Sequence, residues 1–232
     1  MHYAISDIHG CYNLFTALLE KISFSDADTL FFLGDAADRG PDGIAVLQAL
    51  MRQPNIICLL GNHEEMFWRA AWGQNRDMTR AERRSYARAF YHWTERNGGE
   101  VTWNAYCRLP EASRAELLTW MEGLPTFYEL SLGGRTFLLA HAGVGAYQPE
   151  KPLTACDRND FIWERMDYDR VYYQNKLLVS GHTPTLLLDR TCVGKIVQRN
   201  HHIAIDCGAC FTGTLGCICL ETLQTFYVSS AP

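Results

Sequence analysis

The sequence predicts an α/β fold whose sheet begins parallel and ends mixed. Three observations predict it: short apolar runs alternate with helical segments through the first third, the middle is helical in pattern, and the remainder is mostly short strands punctuated by Gly and Thr. Residues 3–6 form the first apolar run, which ends in Asp7-Ile8-His9-Gly10, and residues 14–22 then carry apolar side chains at helical spacing. Residues 29–33 form the second, ending in Gly34-Asp35-Ala36-Ala37-Asp38-Arg39-Gly40-Pro41, with a helix over 44–51 and Asp42 as its N-cap. Residues 56–60 form the third, ending in Gly61-Asn62-His63-Glu64 before another helical segment. In the middle, residues 79–97 are helical in pattern and rich in Arg, and 113–122 predict a helix with Ser113 as N-cap and Glu116 at N3, a capping-box pair. Residues 127–132 and 136–140, joined by Gly133-Gly134, read as a β-hairpin. Strands at 177–180, 195–198, 202–206, 215–220 and 225–228 follow, punctuated as in antiparallel pairs. No repeat, low-complexity tract or Pro/Ser-rich linker divides the chain, so residues 1–232 are expected to form one domain, with a helical segment at about 64–122 between the motif blocks.

Composition removes several function classes. The 232 residues carry 21 Lys+Arg against 26 Asp+Glu, a formal net charge of −5, which lacks the cationic excess that binding a nucleic-acid backbone requires. At 47% hydrophobic and 20% charged residues, disorder is excluded as the main state. The longest apolar runs, such as Ile56-Ile57-Cys58-Leu59-Leu60, fall far short of the roughly 18 residues of a membrane span. No basic, apolar and small-residue leader opens the chain, so a cytoplasmic setting and nine reduced thiols are expected, with no required disulfide. Cys207 and Cys210 form one CxxC without a second pair, a poor zinc site.

The chemistry lies at the strand ends. Asp7 and His9, then Asp35, then Asn62 follow successive strands at spacings of 28 and 27 residues, one βαβ unit each time. In open α/β sheets that edge is where ligands bind. Strands about 4.8 Å apart let these side chains converge, and the carboxylates of Asp7, Asp35 and Asp38 would repel one another without a cation between them. Two further histidines follow apolar strands, in Ala140-His141-Ala142-Gly143 and Ser180-Gly181-His182-Thr183. Asp7, His9, Asp35, Asn62, His141 and His182 are too many ligands for one open catalytic metal and suit two, with one carboxylate bridging. One Asp or His after a strand is commonly a cap or turn residue; recurrence at five strand ends beside glycine argues otherwise. His2, His92, His201 and His202 have no such context. His63 adjoins Asn62, and adjacent side chains diverge, so it is expected to act as an acid beside the metals.

These blocks, Asp7-Ile8-His9-Gly10, Gly34-Asp35-Ala36-Ala37-Asp38-Arg39-Gly40, Gly61-Asn62-His63-Glu64, His141-Ala142-Gly143 and Gly181-His182-Thr183, resemble the five signature blocks of phosphoprotein-phosphatase-type serine/threonine phosphatases, within the calcineurin-like metallophosphoesterases. They run in the family's order. Asn97-Gly98-Gly99, Phe161-Ile162-Trp163-Glu164-Arg165 and Ile205-Asp206-Cys207-Gly208-Ala209 are also similar to segments of the short phage and bacterial members, typified by bacteriophage lambda protein phosphatase. The resemblance implies two facing mixed sheets flanked by helices. It implies two divalent metals, Mn²⁺ before Fe²⁺ or Zn²⁺: Asp7, His9 and the bridging Asp35 on one, and Asp35, Asn62, His141 and His182 on the other. Arg39 and Arg165, with Asn62, would bind the phosphate, His63 would protonate the leaving oxygen, and Asp38 would orient it. The implied reaction is in-line attack of a metal-bridging hydroxide on phosphoserine and phosphothreonine in proteins or peptides, extending to phosphotyrosine and small phosphoesters.

One departure is Ser6, where the first block usually has Gly; serine is small and no loss of activity is expected. Asp206 reads as a structural residue at a strand end. The Arg-rich stretch 76–96 reads either as a solvated helix face or as a rim of the cleft. The alternative activity is that of a symmetrical dinucleoside tetraphosphate hydrolase, whose blocks include an Arg-Gly-Pro like Arg39-Gly40-Pro41; Asp38 and Glu64 favour the protein phosphatase.

Overall fold

Ten strands divide between two sheets in the computed structural model, which describes residues 1–74, 76–145, 147–148 and 150–230. The first third alternates strand and helix as its periodicity predicts: β1 (His2–Ile5), α1 (Tyr12–Lys21), β2 (Thr29–Phe32), α2 (Gly43–Arg52), β3 (Ile56–Cys58) and α3 (Asn62–Gly73). Three more helices follow, α4 (Arg80–Tyr91), α5 (Glu100–Cys107) and α6 (Glu111–Glu122), then the hairpin β4 (Phe127–Leu132) and β5 (Arg135–Ala140). The remainder comprises α7 (Arg158–Ile162), β6 (Lys176–Ser180), α8 (Thr185–Leu188), β7 (Val197–Arg199), β8 (His202–Ala204), α9 (Ala209–Thr212), β9 (Thr214–Cys219) and β10 (Thr225–Ser229).

The strand orders are β10-β9-β1-β2-β3 and β4-β5-β6-β8-β7. Both sheets are mixed: β1–β2–β3 and β5–β6–β8 pair in parallel, while antiparallel strands form the β10, β4 and β7 edges and β3 is a parallel edge. The expectation of antiparallel pairs beyond residue 177 therefore holds for β7–β8 and β9–β10 but not for β6, which lies between two parallel neighbours. Side chains alternate faces along a strand, and the cores divide accordingly. Ala4, Phe31 and Leu59 face inward to meet Phe137, Leu139, Val179 and Ile203 of the other sheet. Tyr3, Ile5, Leu30, Phe32 and Cys58 face outward onto Leu14, Phe15, Leu18, Val46 and Leu47 of the helices. Leu138, Ala140 and Leu178 cover the opposite outer face with Phe161 and Ile162.

One local expectation is corrected and two are refined. The helix expected at 113–122 begins at Glu111 behind Pro110, so Ser113 lies within its first turn and caps nothing; proline presets the entry dihedral, and Glu111 places its charge at the positive end of the helix dipole. Asp42 does stand at the N-cap of α2, yet its side chain makes no cap bond. The segment 79–97 is helical from Arg80 onward, as expected, but its pitch changes: Thr79 and Glu82 form a capping box at the start of α4, and His92–Arg96 widens into a π-helical turn that buries Trp93. Helix α4 buries no residue, and the five Arg side chains of the stretch are exposed. The solvated-face reading fits Arg80, Arg83 and Arg84, whereas Arg88 lines a recess with Glu65 and Trp163, and Arg96 lines another together with Arg39.

His202 contributes to the fold instead of the site. It is buried, stacks on Tyr168 at 4.2 Å between ring centroids, and places Nε2 2.8 Å from Ser180 Oγ. Burial, aided by Arg199, pushes its pKa from an ordinary 6.5 down to about 3. The folded value lies below the unfolded one, so as pH falls the unfolded chain binds the proton first. This contribution to stability is whole above about pH 6.5 and erodes towards pH 3. His202→Phe, which keeps the stack, is expected to flatten the loss of urea midpoint between pH 7 and pH 4; identical slopes for variant and wild type would rule the assignment out.

Candidate active site

Loops leaving β1, β2, β3, β5 and β6 meet at one edge of the molecule. Their backbones are unusual: Asp7 (φ 52°), His9 (φ 45°), Asp35 (φ 66°), Asp38 (φ 70°), Arg39 (φ 67°) and His182 (φ 63°) occupy the left-handed region. Six of the ten such non-glycine residues among those described therefore belong to this one site. Each costs on the order of 1–3 kcal/mol, the kind of strain that concentrates at functional sites. Backbone bonds lace the first two loops together, from Asp7 N–H to Gly34 O (3.0 Å), His9 N–H to Asp35 O (2.9 Å) and Gly10 N–H to Ala36 O (2.7 Å). Two glycines make room for carboxylates: a Cβ on Gly61 would collide with Asp35 Oδ1, and one on Gly181 with Asp7 Oδ2.

All six expected ligands converge. Asp35 Oδ2 lies 3.6 Å from His9 Nε2 and 3.4 Å from His141 Nε2, and Asp7 Oδ1 lies 3.9 Å from His9 Nε2. Asn62 Oδ1 sits 2.8 Å from His141 Nε2 and 3.0 Å from His182 Nδ1. His9 Nδ1–H donates to Ala37 O and His141 Nδ1–H to Leu33 O, each at 2.8 Å, so the Nε2 atom of each ring is the one that faces the cluster. Fixing a ring by its far nitrogen is the usual arrangement for a ligating histidine.

His63 is adjacent to Asn62 in the first turn of α3 and diverges from it. Its Nδ1 lies 2.6 Å from Asp38 Oδ2, and its Nε2 is 3.9 Å from Asp35 Oδ2. Nitrogen and oxygen atoms of His9, Asp35 and His63 all come within 4.8 Å of one another, but the Asp38 bond commits the other side of the His63 ring. Asp38 is fully buried, and the same Oδ2 accepts the indole N–H of Trp93 at 2.6 Å. Trp93 was not singled out by the sequence: its spacing is that of a core residue, and only the π-helical turn brings its N–H to Asp38.

Glu64 entered the sequence reasoning only as a mark that favours the protein phosphatase; its part in holding the site together was not foreseen. Its Oε1 accepts the N–H groups of Ala36 (2.8 Å) and Ala37 (3.3 Å), and its Oε2 those of Asp35 (2.7 Å) and Gly61 (3.2 Å). One buried carboxylate thereby ties the loop carrying Asp35 to the start of α3. The available signal was its place three residues after Gly61, the capping-box position. Glu64→Gln turns an NH₂ towards two N–H donors, and is expected to weaken metal binding by roughly 10–100-fold, the usual cost of losing a partner behind the ligands; titration calorimetry with Mn²⁺ reads this directly.

Electrostatically the cluster calls for cations. Asp7, Asp35, Asp38, Glu64 and Asp206 are all buried here. Burial and the neighbouring Asp35 push Glu64 up to about 7, and burial with Asp7 nearby holds Asp206 well above the usual carboxylate range. Burial also opposes ionisation of Asp35, but His141, His63 and His9 overrule it and hold its pKa well below the ordinary value. His141 is pushed up to about 9: burial works against the imidazolium, and Asp35, Asp7 and Glu64 outweigh it. Imidazole nitrogens, carboxylates and an amide oxygen, concentrated in a field of negative charge, suit divalent transition metals. Asp206 accepts the N–H of Gly208 at 2.8 Å, consistent with a structural role at its strand end. His2 pairs with Glu221 away from this edge, and all nine cysteines are free, with the Cys11 and Cys210 sulfurs 3.2 Å apart.

Arg39 NH1 contacts His9 Nε2 at 2.5 Å, and its NH2 lies 3.0 Å from His63 Nε2. Arg165 is exposed and shares with Arg39 and His182 a recess of about 390 Å³ at the mouth of the cluster.

Fold and strand-end cluster together define a phosphoesterase of the calcineurin-like type, and the chain belongs to that family: the calcineurin-like phosphoesterase profile matches residues 3–208. Its chemistry is hydrolysis of phosphoesters. Among relatives, the asymmetrical bis(5'-nucleosyl)-tetraphosphatase PrpE of Geobacillus thermodenitrificans is 28% identical over 98% of this chain and 93% of its own length. The symmetrical bis(5'-nucleosyl)-tetraphosphatase of Acidovorax sp. strain JS42 is 33% identical over 61% of this chain and 43% of its own length. The fold is shared with a provisionally named diadenosine tetraphosphatase (TM-score 0.71, 17% identity, 99% of this chain and 93% of that one). It is also shared with a protein serine/threonine phosphatase from Saccharomyces cerevisiae (TM-score 0.57, 13% identity, 100% of this chain and 80% of that one). Among the described residues, no helix is long and apolar enough to cross a membrane.

Proposed function

We propose that this chain is a metal-dependent hydrolase of dinucleoside tetraphosphates. The observation that carries the reading is the match, over 97–98% of the chain, to relatives named for that activity. It replaces the protein phosphatase as the leading assignment, and those near-full-length relatives are the asymmetrical enzymes, not the symmetrical kind. Asp7, His9 and Asp35 would hold one divalent cation and Asp35, Asn62, His141 and His182 a second, with Mn²⁺, Fe²⁺ and Zn²⁺ all suited to these donors. When bound, the pair would supply Lewis-acid charge and a water acidic enough to attack phosphorus near neutral pH.

The chain's own groups do the rest. Arg39 and Arg165 present planar forks that can bind phosphate oxygens bidentately. A cation on His9 Nε2 requires the Arg39 guanidinium to turn outward, towards the recess it shares with Arg165. Asp38, steadied by Trp93, orients His63 so that Nε2 faces the reacting edge. A second reading, a phosphomonoesterase acting on phosphoserine and phosphothreonine in proteins, is favoured by this buried His63–Asp38 pair. A proton donor matters for an alkoxide leaving group and little for a nucleotide.

Turnover of diadenosine tetraphosphate and of phosphopeptides on Mn²⁺-loaded protein tests the two readings. A kcat/KM at least tenfold higher for the dinucleotide is expected, and the products separate asymmetrical cleavage (ATP and AMP) from symmetrical cleavage (two ADP). The reverse preference would overturn the assignment in favour of the protein phosphatase.

A further inference from the structure

Leu187 and Phe211 are 61% and 62% exposed, the highest values among the large hydrophobic side chains described. An isolated exposed apolar residue is unremarkable. These two, however, stand on different short helices, α8 and α9, and line the same recess. The other walls of that recess include Arg39, Arg165 and His182. Neither arginine has a carboxylate partner among the described residues. The Arg39 guanidinium carbon lies 5.1 Å from the centre of the Phe211 ring, and the same guanidinium touches His9. An aromatic face thus stands one arginine side chain away from the metal-ligand cluster, with an aliphatic residue lining the same recess.

Cationic forks without a carboxylate partner, beside exposed apolar surfaces, fit a ligand that is both anionic and planar-apolar. A nucleotide has that character: its phosphates meet the guanidinium groups, and its base has two π-faces to stack. A phosphate alone would leave Phe211 and Leu187 unused.

We propose that Phe211 and Leu187 form a nucleobase subsite at the mouth of the active site. It holds the base of the nucleoside nearest the reacting phosphate while Arg39 and Arg165 bind the phosphates beside it. This assignment rests on the dinucleoside tetraphosphate reading and adds to it the residues that would select a nucleotide over other phosphates.

Binding of ADP and of inorganic tripolyphosphate to the 232-residue chain, measured by titration calorimetry, tests the subsite. A base stacked on an aromatic side chain contributes on the order of tenfold in affinity or more. Phe211→Ala is expected to weaken ADP about tenfold and to change tripolyphosphate less than twofold; Phe211→Trp should retain ADP and show fluorescence quenching with ADP but not with tripolyphosphate. Leu187→Ser should move ADP in the same direction as Phe211→Ala. Phe211 is largely solvent-exposed, so the variants are expected to fold, which the thermal midpoint verifies. Equal losses for both ligands, or no loss for either, would overturn the subsite even if diadenosine tetraphosphate is a good substrate. Failure to hydrolyse that substrate, with ADP binding still dependent on Phe211, would overturn the proposed activity and leave the subsite standing. A phosphopeptide whose affinity depends on Phe211 while that of ADP does not would overturn the nucleobase assignment.

Discussion

Asp35→Asn is expected to abolish binding of both cations at micromolar metal and to remove nearly all hydrolysis, while the chain stays folded. Among the described residues, Asp35 is the one carboxylate within 4 Å of His9, His63 and His141 alike, which suits it to serve two cations at once. The substitution is mild in shape. Asp35 Oδ1 accepts the backbone N–H of His63 at 3.0 Å, and an asparagine oxygen can keep that bond. What disappears is the charge that His141, His63 and His9 hold ionised against the cost of burial. Loss of a directly ligating charge should exceed the roughly 10–100-fold typical of partners behind the ligands. Metal content by elemental analysis and turnover should fall together, and the thermal midpoint without metal should move by no more than about 4 °C, equivalent to roughly 1 kcal/mol at this chain length. Two tightly bound cations and normal turnover in the variant would overturn the binuclear assignment.

The convergence of the candidate ligands was legible because each member follows a strand whose apolar run is short and unambiguous. A strand end beside glycine leaves few directions for the next side chain, so Asp7, Asp35, His141 and His182 could be placed without coordinates. Asn62 and His63 were separable for a similarly local reason, since neighbouring residues on a helix point about 100° apart. The residues that escaped act at a distance. Trp93 belongs to a helical stretch whose apolar spacing says only that it is buried; a local widening of that helix turns its indole towards Asp38. Glu64 stands at a capping position, yet three of its four backbone partners belong to residues 35–37, contacts that no local pattern records. The division into two sheets was likewise hidden. A parallel register such as Leu139 beside Val179 joins segments 40 residues apart, and periodicity along the chain carries no register between strands. The two-sheet architecture came instead from the family resemblance.

His63→Asn is expected to lower phosphoserine hydrolysis by roughly 10²–10⁴-fold, the range over which a positioned proton donor acts. Hydrolysis of p-nitrophenyl phosphate and of diadenosine tetraphosphate should fall by less than about tenfold, because their leaving groups need no proton. The alkoxide of serine is strongly basic and must be protonated as the P–O bond breaks, whereas p-nitrophenolate and a nucleotide leave as weak bases. The geometry supports the donor role. Burial disfavours the imidazolium of His63, but Asp35 and Asp38 outweigh it and raise its pKa above the ordinary histidine value. Asp38 in turn is held by Trp93, so Trp93→Phe should produce the same substrate bias in milder form; a hydrogen bond to a charged group contributes about 1.5–3 kcal/mol. Asp38→Asn should lie between the two, with both cations retained in all three variants. If His63 only shaped the start of α3, every substrate would slow by the same factor. Equal losses across leaving groups, or loss of a cation in His63→Asn, would therefore defeat the acid assignment and remove the observation that favours a phosphomonoesterase over the dinucleotide hydrolase.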